Sequence, residues 1–319
     1  MNGQAHNLVF PELPSTMTST YFFTVRDVWR YAVTRFNESG LHFGHGSIDA
    51  VDEAAYLILH TLNLPLDKLD PFLDARLLPN EIDAVLAVIA RRSQAREPAA
   101  YITRQAWLGS YRFYVDERVL VPRSFIAELI PQQFAPWIGD PHAVTDILEL
   151  CTGSGCLAIM LADAFPHAQV EATDLSWEAL AVAQRNIDEH ALSERITLIE
   201  SDVYKNVPFK RYDMIVANPP YVNAASMATL PAEYGHEPKI ALAGGVDGMD
   251  LVRQIVAQAA HRLKPNGLLI VEIGNERRHV ETAFPTLELT WLTTSAGDDM
   301  VFLVTAEQLH SSTTQAVLA

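Results

Sequence analysis

Residues 217–222 read Ala-Asn-Pro-Pro-Tyr-Val and follow an apolar run that begins at Tyr212. Such a run reads as a buried strand. At its tip stand an amide (Asn218), two residues without N–H groups (Pro219, Pro220) and a ring (Tyr221). This set suits a planar –NH2 group whose nitrogen must act as a nucleophile. The lone pair of an amide or exocyclic amine is delocalised, which makes the nitrogen sluggish. As it attacks an alkyl donor, positive charge grows on it. Acceptors aimed at its two N–H groups stabilise that charge and orient the lone pair. The Asn218 side-chain oxygen and the Pro219 carbonyl are two such acceptors, and neither proline adds a competing donor. Tyr221 offers a flat face to a planar group. No strong base is required, because the alkylated nitrogen is itself acidic.

Upstream, "DILELCTGSGC" (146–156) runs from a strand through a glycine turn into a helix. Gly153 and Gly155 permit a sharp turn and a close backbone approach to a ligand. Residues 153–158 also fit the loose G-x-G-x-x-G/A pattern, a weak signal by itself. Asp174 ends the next strand, where a carboxylate can accept from both hydroxyls of a ribose. It could equally cap the following helix. Asp202 closes the third strand, opposite where an adenine amino group would lie. Three strand ends of this kind describe a nucleoside site, open to a nicotinamide dinucleotide or to S-adenosyl-L-methionine. Asn-Pro-Pro-Tyr on the fourth strand favours the sulfonium cofactor, since hydride transfer has no use for it. Glu149 reads as a group that orients the glycine turn or meets the cofactor's amino group.

Those residues need a scaffold. Strands are expected at 146–150, 170–173, 196–200, 214–217, 268–273, 289–294 and 300–305, with helices such as 176–190 and 250–263 between them. Alternating β and α predicts an α/β fold with a mostly parallel sheet covered by helices on both faces. The last two strands, joined by a short connection, suggest an antiparallel pair. Earlier, Val25, Val28, Trp29, Ala32, Val33 and Phe36 recur at helical spacing. Residues 54–62 and 81–92 repeat that pattern, with Pro65, Pro71 and Pro79 as punctuation. A short hairpin is expected from 111–115 and 118–121. The chain thus divides into a flexible leader (1–23), a helical substrate-recognition domain with the hairpin (24–140) and a catalytic domain (141–319).

The formal net charge is −16. Residues 1–140 hold 12 basic and 16 acidic side chains, and residues 141–319 hold 11 and 23. An acidic catalytic half disfavours naked nucleic acid and suits a basic partner. No apolar run approaches the ~20 residues of a membrane span, and residues 1–20 lack the features of a secretion signal. The two cysteines, Cys151 and Cys156, fit neither a redox pair nor a zinc site. A soluble cytoplasmic protein is expected, with no metal. His42 and His45 have no further His/Cys cluster nearby. Arg91, Arg92, Arg96 and Arg104 read as a solvated helix face rather than an RNA contact. Gly244, Gly245 and Gly248 read as a loop near the pocket.

"LELCTGSGC" with "VANPPYV" resembles the class I adenosylmethionine-dependent N-methyltransferases, and within them the protein-glutamine N5-methyltransferases of the HemK/PrmC/PrmB group. "VLVPRS" (119–124) and "EYGHEPKIALAGGVDGMDLVRQI" (233–255) belong to that resemblance, which extends from about Thr24. The release-factor branch continues Pro-Arg with Pro-Glu-Thr-Glu, whereas this chain has Ser124-Phe125-Ile126. "FGHGSIDAVDEA" (43–54) resembles instead the PrmB branch, which acts on the large-subunit ribosomal protein L three. The resemblance implies a Rossmann-like, seven-stranded class I fold and S-adenosyl-L-methionine as cofactor. It implies a basic ribosomal protein as substrate, free or within a large-subunit assembly intermediate, and neither a membrane nor a direct nucleic-acid substrate. Cys151, Thr152, Gly153, Ser154 and Gly155 would border the methionine part, Asp174 the ribose, and Asp202 with Val203 the adenine. Asn218, Pro219 and Tyr221 would hold the glutamine amide. The rival readings are the same chemistry on a release factor, methylation of a base amine, or a non-catalytic assembly factor.

Overall fold

Met214 to Ala217 have no solvent exposure at all, as a strand covered on both faces requires. In the computed structural model, which describes residues 22–44 and 46–311, this segment lies within a seven-stranded sheet. Two short strands come first, β1 (Gln105–Leu108) and β2 (Tyr111–Tyr114), paired antiparallel. The main sheet contains β3 (Asp146–Leu150), β4 (Gln169–Asp174), β5 (Ile196–Glu200), β6 (Tyr212–Ala217), β7 (Leu263–Glu272), β8 (Thr290–Thr294) and β9 (Gly297–Thr305). Their order is β5-β4-β3-β6-β7-β9-β8. The first five run parallel, and β9 is antiparallel to both of its neighbours. This is the mostly parallel α/β sheet of the class I methyltransferase fold, as the sequence predicts.

The chain leaves β3 through helix Cys156–Ala164 to β4, continues to β5, and then returns to place β6 on the other side of β3. β3 is therefore the topological switch point, and the crevice beyond its carboxyl end is where such sheets bind ligands. Helix Trp177–Glu189 starts where the Ser176 hydroxyl accepts from Ala179 N–H, which ends β4 cleanly at Asp174.

The expected hairpin has a different partner strand. β2 matches, but it pairs with β1 upstream, and 118–121 forms no strand. Gly109, at φ +59°, makes the β1–β2 turn. Asp116 folds the next residues back: its carboxylate accepts from the Arg118 guanidinium at 2.8 and 2.6 Å, and its carbonyl accepts from Val119 N–H at 3.1 Å. The chain separates into two compact units after Thr103. The hairpin goes with the second unit because Asn186, on helix Trp177–Glu189, bonds Tyr114 through both N–H and C=O, at 2.7 and 3.0 Å.

In the first unit, helices Val25–Glu38, Ala50–Thr61 and Pro79–Gln94 share a core that includes Val28, Ala32, Phe36, Leu57 and Val85. Thr24 and Asp27 form a capping box, and Asp49 caps the second helix. The basic stretch is a solvated face only in part: Arg91 and Arg104 are exposed and Arg96 is half-buried, but Arg92 is buried. Arg92 is 1% exposed and pairs with the equally buried Glu53 at 2.5 Å, and it also donates to the His42 carbonyl at 2.9 Å. Arg91 pairs with Glu97, Arg96 donates to the Ser39 carbonyl, and Arg104, in the second unit, pairs with Glu117. A buried guanidinium cannot be told from an exposed one by charge pattern alone. The leader to Tyr21 and His45 lie outside the described residues. Among the described residues no helix is long and apolar enough to cross a membrane, and no cluster of His, Cys, Asp or Glu could hold a metal ion.

Candidate active site

β3 ends in a turn held by its own polar groups. Glu149, 1% exposed, accepts from the Thr152 hydroxyl at 2.5 Å. Thr152 N–H donates to the Thr173 carbonyl at 2.8 Å, tying the turn to β4. Burial pushes the Glu149 carboxyl up to about 8, against the Thr152 hydrogen bond, which lowers it. Glu149 thus orients the glycine turn and lies behind the cleft. Its raised folded-state value makes its share of stability full below the ordinary value of 4.5 and lost as pH rises through about 8. Glu149→Gln should therefore flatten the fall in stability across that window, as urea unfolding at pH 5, 7 and 9 will read.

The two glycines differ. Gly153, at φ +56°, lines the cleft, and a Cβ there would meet no atom within 4 Å. Gly155, at φ +80°, packs against Ala183, whose Cβ would lie 3.2 Å from an added Cβ. Gly153 leaves open space in the cleft, and Gly155 lets helix Cys156–Ala164 approach helix Trp177–Glu189. Asn186 holds the turn from behind by donating to the Ser154 carbonyl at 2.8 Å.

Asp174, at the end of β4, accepts from Gly153 N–H and Ser176 N–H, both at 2.9 Å. Burial pushes its carboxyl up, and these backbone donors oppose that shift. The carboxylate keeps acceptor capacity for a further donor. After β5, the Ser201 hydroxyl donates to the Val203 carbonyl at 2.9 Å and accepts from Asn206 N–H at 3.0 Å. These bonds help hold Val203 at φ +50°, a left-handed conformation that a β-branched residue adopts only under constraint. Asp202 is exposed beside it.

Cys151, Gly153, Asp174, Asp202, Val203 and Asn218 line one cleft. Four parallel strand ends therefore converge there. Glu149, Thr152, Ser154 and Gly155 are not among its lining. Pro219 and Tyr221 are not either; Pro220 is. The Cys151 thiol is pushed up, by burial first and then by the nearby Asp174 and Glu149 carboxylates, and stays neutral.

Comparisons with known proteins bear on this geometry. A family model described as "Methyltransferase small domain" matches residues 137–232. The ribosomal protein uL3 glutamine methyltransferase of Burkholderia pseudomallei (strain K96243) is 62% identical over 301 residues, covering 92% of this chain and 98% of that protein. The chain belongs to this family. The protein of the same name from Neisseria gonorrhoeae (strain ATCC 700825 / FA 1090) is 57% identical over 286 residues, covering 90% and 95%. Among solved structures, a methyltransferase from Pyrococcus furiosus matches at 18% identity with a TM-score of 0.45, over 62% of this chain and 90% of that chain.

Sequence reasoning missed much of the cleft wall of this family member. Arg118, Val119 and Leu120 line one side, and Pro238, Ile240 and Ala241 another. A part-buried ion pair joins the two segments: Arg123 donates to both oxygens of Glu237 at 2.6 Å, and Glu237 also accepts from Val121 N–H at 3.0 Å. "VLVPRS" and "GHEPKIA" were visible as motifs, but no local signal says that they meet.

Tyr221 occupies a socket of its own. A Cβ at Gly244 would sit 2.7 Å from Tyr221 Cα, one at Gly248 2.3 Å from its carbonyl oxygen, and one at Gly274 2.5 Å from Cε2. The glycine loop at 244–248 thus borders the Asn-Pro-Pro-Tyr segment.

Proposed function

We propose that this chain transfers the methyl group of S-adenosyl-L-methionine to the side-chain amide nitrogen (N5) of a glutamine in ribosomal protein uL3. The observation that carries this reading is Asn218. It stands at the end of β6 in the cleft that also holds Gly153, Asp174 and Asp202. The name its relatives share supplies the acceptor.

The donor set fits the cofactor: the space an added Cβ at Gly153 would fill is open, and carboxylates end β4 and follow β5. Cys151 and Gly153 would lie along the methionine part, with Thr152 and Ser154 shaping the turn from behind. Asp174 would hold the ribose, and Asp202 and Val203 would flank the adenine. When bound, the cofactor supplies an electrophilic methyl on a sulfonium. The Asn218 oxygen and the Pro219 carbonyl accept from the two N–H groups of the glutamine amide and turn its lone pair toward that methyl. Both interactions strengthen as charge develops on nitrogen, so they act on the transition state more than on the bound substrate. Tyr221 supports the planar group.

Asp174→Asn should raise the Kd for the cofactor roughly tenfold to a hundredfold, because a hydrogen bond to a charged group contributes about 1.5–3 kcal/mol. Isothermal titration will read this, and an unchanged Kd would remove Asp174 from the site.

A catalytic half carrying 23 acidic against 11 basic side chains suits a basic ribosomal protein, met in the cytoplasm either free or in an assembly intermediate. The deciding experiment offers labelled cofactor with unassembled uL3, a release factor and total RNA in parallel. Mass spectrometry should find one methyl on one glutamine of uL3. Label confined to the release factor would overturn the substrate, and label confined to RNA would overturn the acceptor class.

A further inference from the structure

Glu272, the last residue of β7, is 1% exposed and takes no part in the site as described above. Donors from two segments converge on it. The Ser124 hydroxyl donates to Oε2 at 2.5 Å and Ile126 N–H to the same oxygen at 3.3 Å. The Tyr221 hydroxyl lies 3.5 Å from Oε1. One oxygen is thus committed to the 124–126 segment and the other faces the ring of Asn-Pro-Pro-Tyr. Gly274, two residues on at φ +51°, leaves the space that the edge of that ring fills. A buried carboxylate with this set of donors is costly to keep, and packing alone would be served by an apolar residue.

We propose that Glu272, braced by Ser124, positions Tyr221 and so aligns the acceptor amide for methyl transfer, without contributing to cofactor affinity. This rests on the reading that Asn218, Pro219 and Tyr221 hold that amide. Glu272 acts through Tyr221, so it is a positioning residue. The 3.5 Å contact is long, and catalytic contacts of this kind tighten when the substrate is seated. The ionised carboxylate only accepts, from Ser124, Ile126 and Tyr221 together, whereas protonation gives it a hydroxyl donor of its own that competes within this set.

Ionisation gives the proposal a second signature. Burial pushes the Glu272 carboxyl up to about 7, and the Ser124, Ile126, Phe125 and Tyr221 donors oppose that shift. The titratable groups facing it are Tyr221 and the Cys156 thiol, and both are raised and stay neutral at that pH. Beyond Tyr221 lie the Arg123 cation, tied to Glu237, and Tyr234. Wild-type kcat should therefore fall as pH drops through about 7, and Glu272→Gln should remove that step.

The test uses the full chain with uL3 as acceptor, reading kcat, the cofactor Kd and thermal unfolding. Glu272→Gln should lower kcat roughly tenfold, the scale of a displacement well below 1 Å. The cofactor Kd and the folded state should be retained. Ser124→Ala should act in the same direction and more weakly. Tyr221→Phe should lower kcat to a similar degree, and the double variant Glu272→Gln/Tyr221→Phe should be no worse than the poorer single one. Multiplying losses in the double variant would overturn the proposal, as would a Glu272→Gln effect seated in cofactor affinity or an unchanged kcat in Glu272→Gln. Tyr221→Ala separates the two levels. If it retains full kcat, the acceptor reading itself fails and this proposal falls with it. If it loses kcat while Glu272→Gln does not, only the positioning role is lost.

Discussion

Asn218→Ala should cost about a hundredfold to a thousandfold in kcat, the usual loss when one preorganised group facing developing charge is removed. The loss should appear in kcat rather than in the KM for uL3. In the ground state the amide N–H groups are neutral, and water can replace the missing acceptor. In the transition state the nitrogen carries positive charge, and the half-buried cleft end offers less water to screen it. Cofactor binding should weaken far less, because Gly153, Asp174 and Asp202 remain in the same cleft. Single-turnover kinetics with saturating uL3 will separate the two steps. A variant with wild-type kcat and only a raised KM would mean that Asn218 binds the acceptor without stabilising its charge.

The second large effect lies far from the chemistry in sequence. Arg92→Ala should destabilise the helical unit by about 3–5 kcal/mol, since it removes the guanidinium paired with the buried Glu53 carboxylate. Both side chains are 1% exposed, and the Arg92 Nε to Glu53 Oε1 distance is 2.5 Å. The His42 carbonyl, which accepts from the other end of the guanidinium, loses its donor as well. Replacing both partners by apolar residues, Arg92→Met with Glu53→Leu, should recover most of the loss, because no charge then remains to be desolvated. Thermal unfolding monitored by circular dichroism will compare the three proteins. A loss under about 1 kcal/mol in Arg92→Ala would place the pair with ordinary surface ion pairs.

The sequence by itself determined the elements that carry the candidate site and their order. A continuous apolar run, a glycine turn and an acidic residue closing a strand are local signals. Strand ends follow from where apolar periodicity stops, so Gly153, Asp174, Asp202 and Asn218 could be assigned to successive strand ends without any contact being known. The right-handed β-α-β rule then brings those ends to one edge of the sheet. Pattern also misplaced two features for a physical reason. The alternation in 118–121 looked like a strand, but Asp116 and Arg118 fold that stretch into a turn, so it forms cleft wall instead. Arg92 looked exposed with the rest of its run because charge pattern carries no information about a partner 39 residues away.

Only the tertiary structure decided what closes the cleft. Val121 meets Glu237 across 116 residues, and Ser124 meets Glu272 across 148. Such pairs depend on which strands neighbour one another and on which loops cross their ends, and neither is written in a local period. The tertiary structure also separated two glycines that look alike in sequence: Gly153 faces open space, whereas Gly155 faces Ala183. Local spacing fixes which residues arrive at a strand end; the packing of distant segments fixes which of them face the cleft and which hold the others in place.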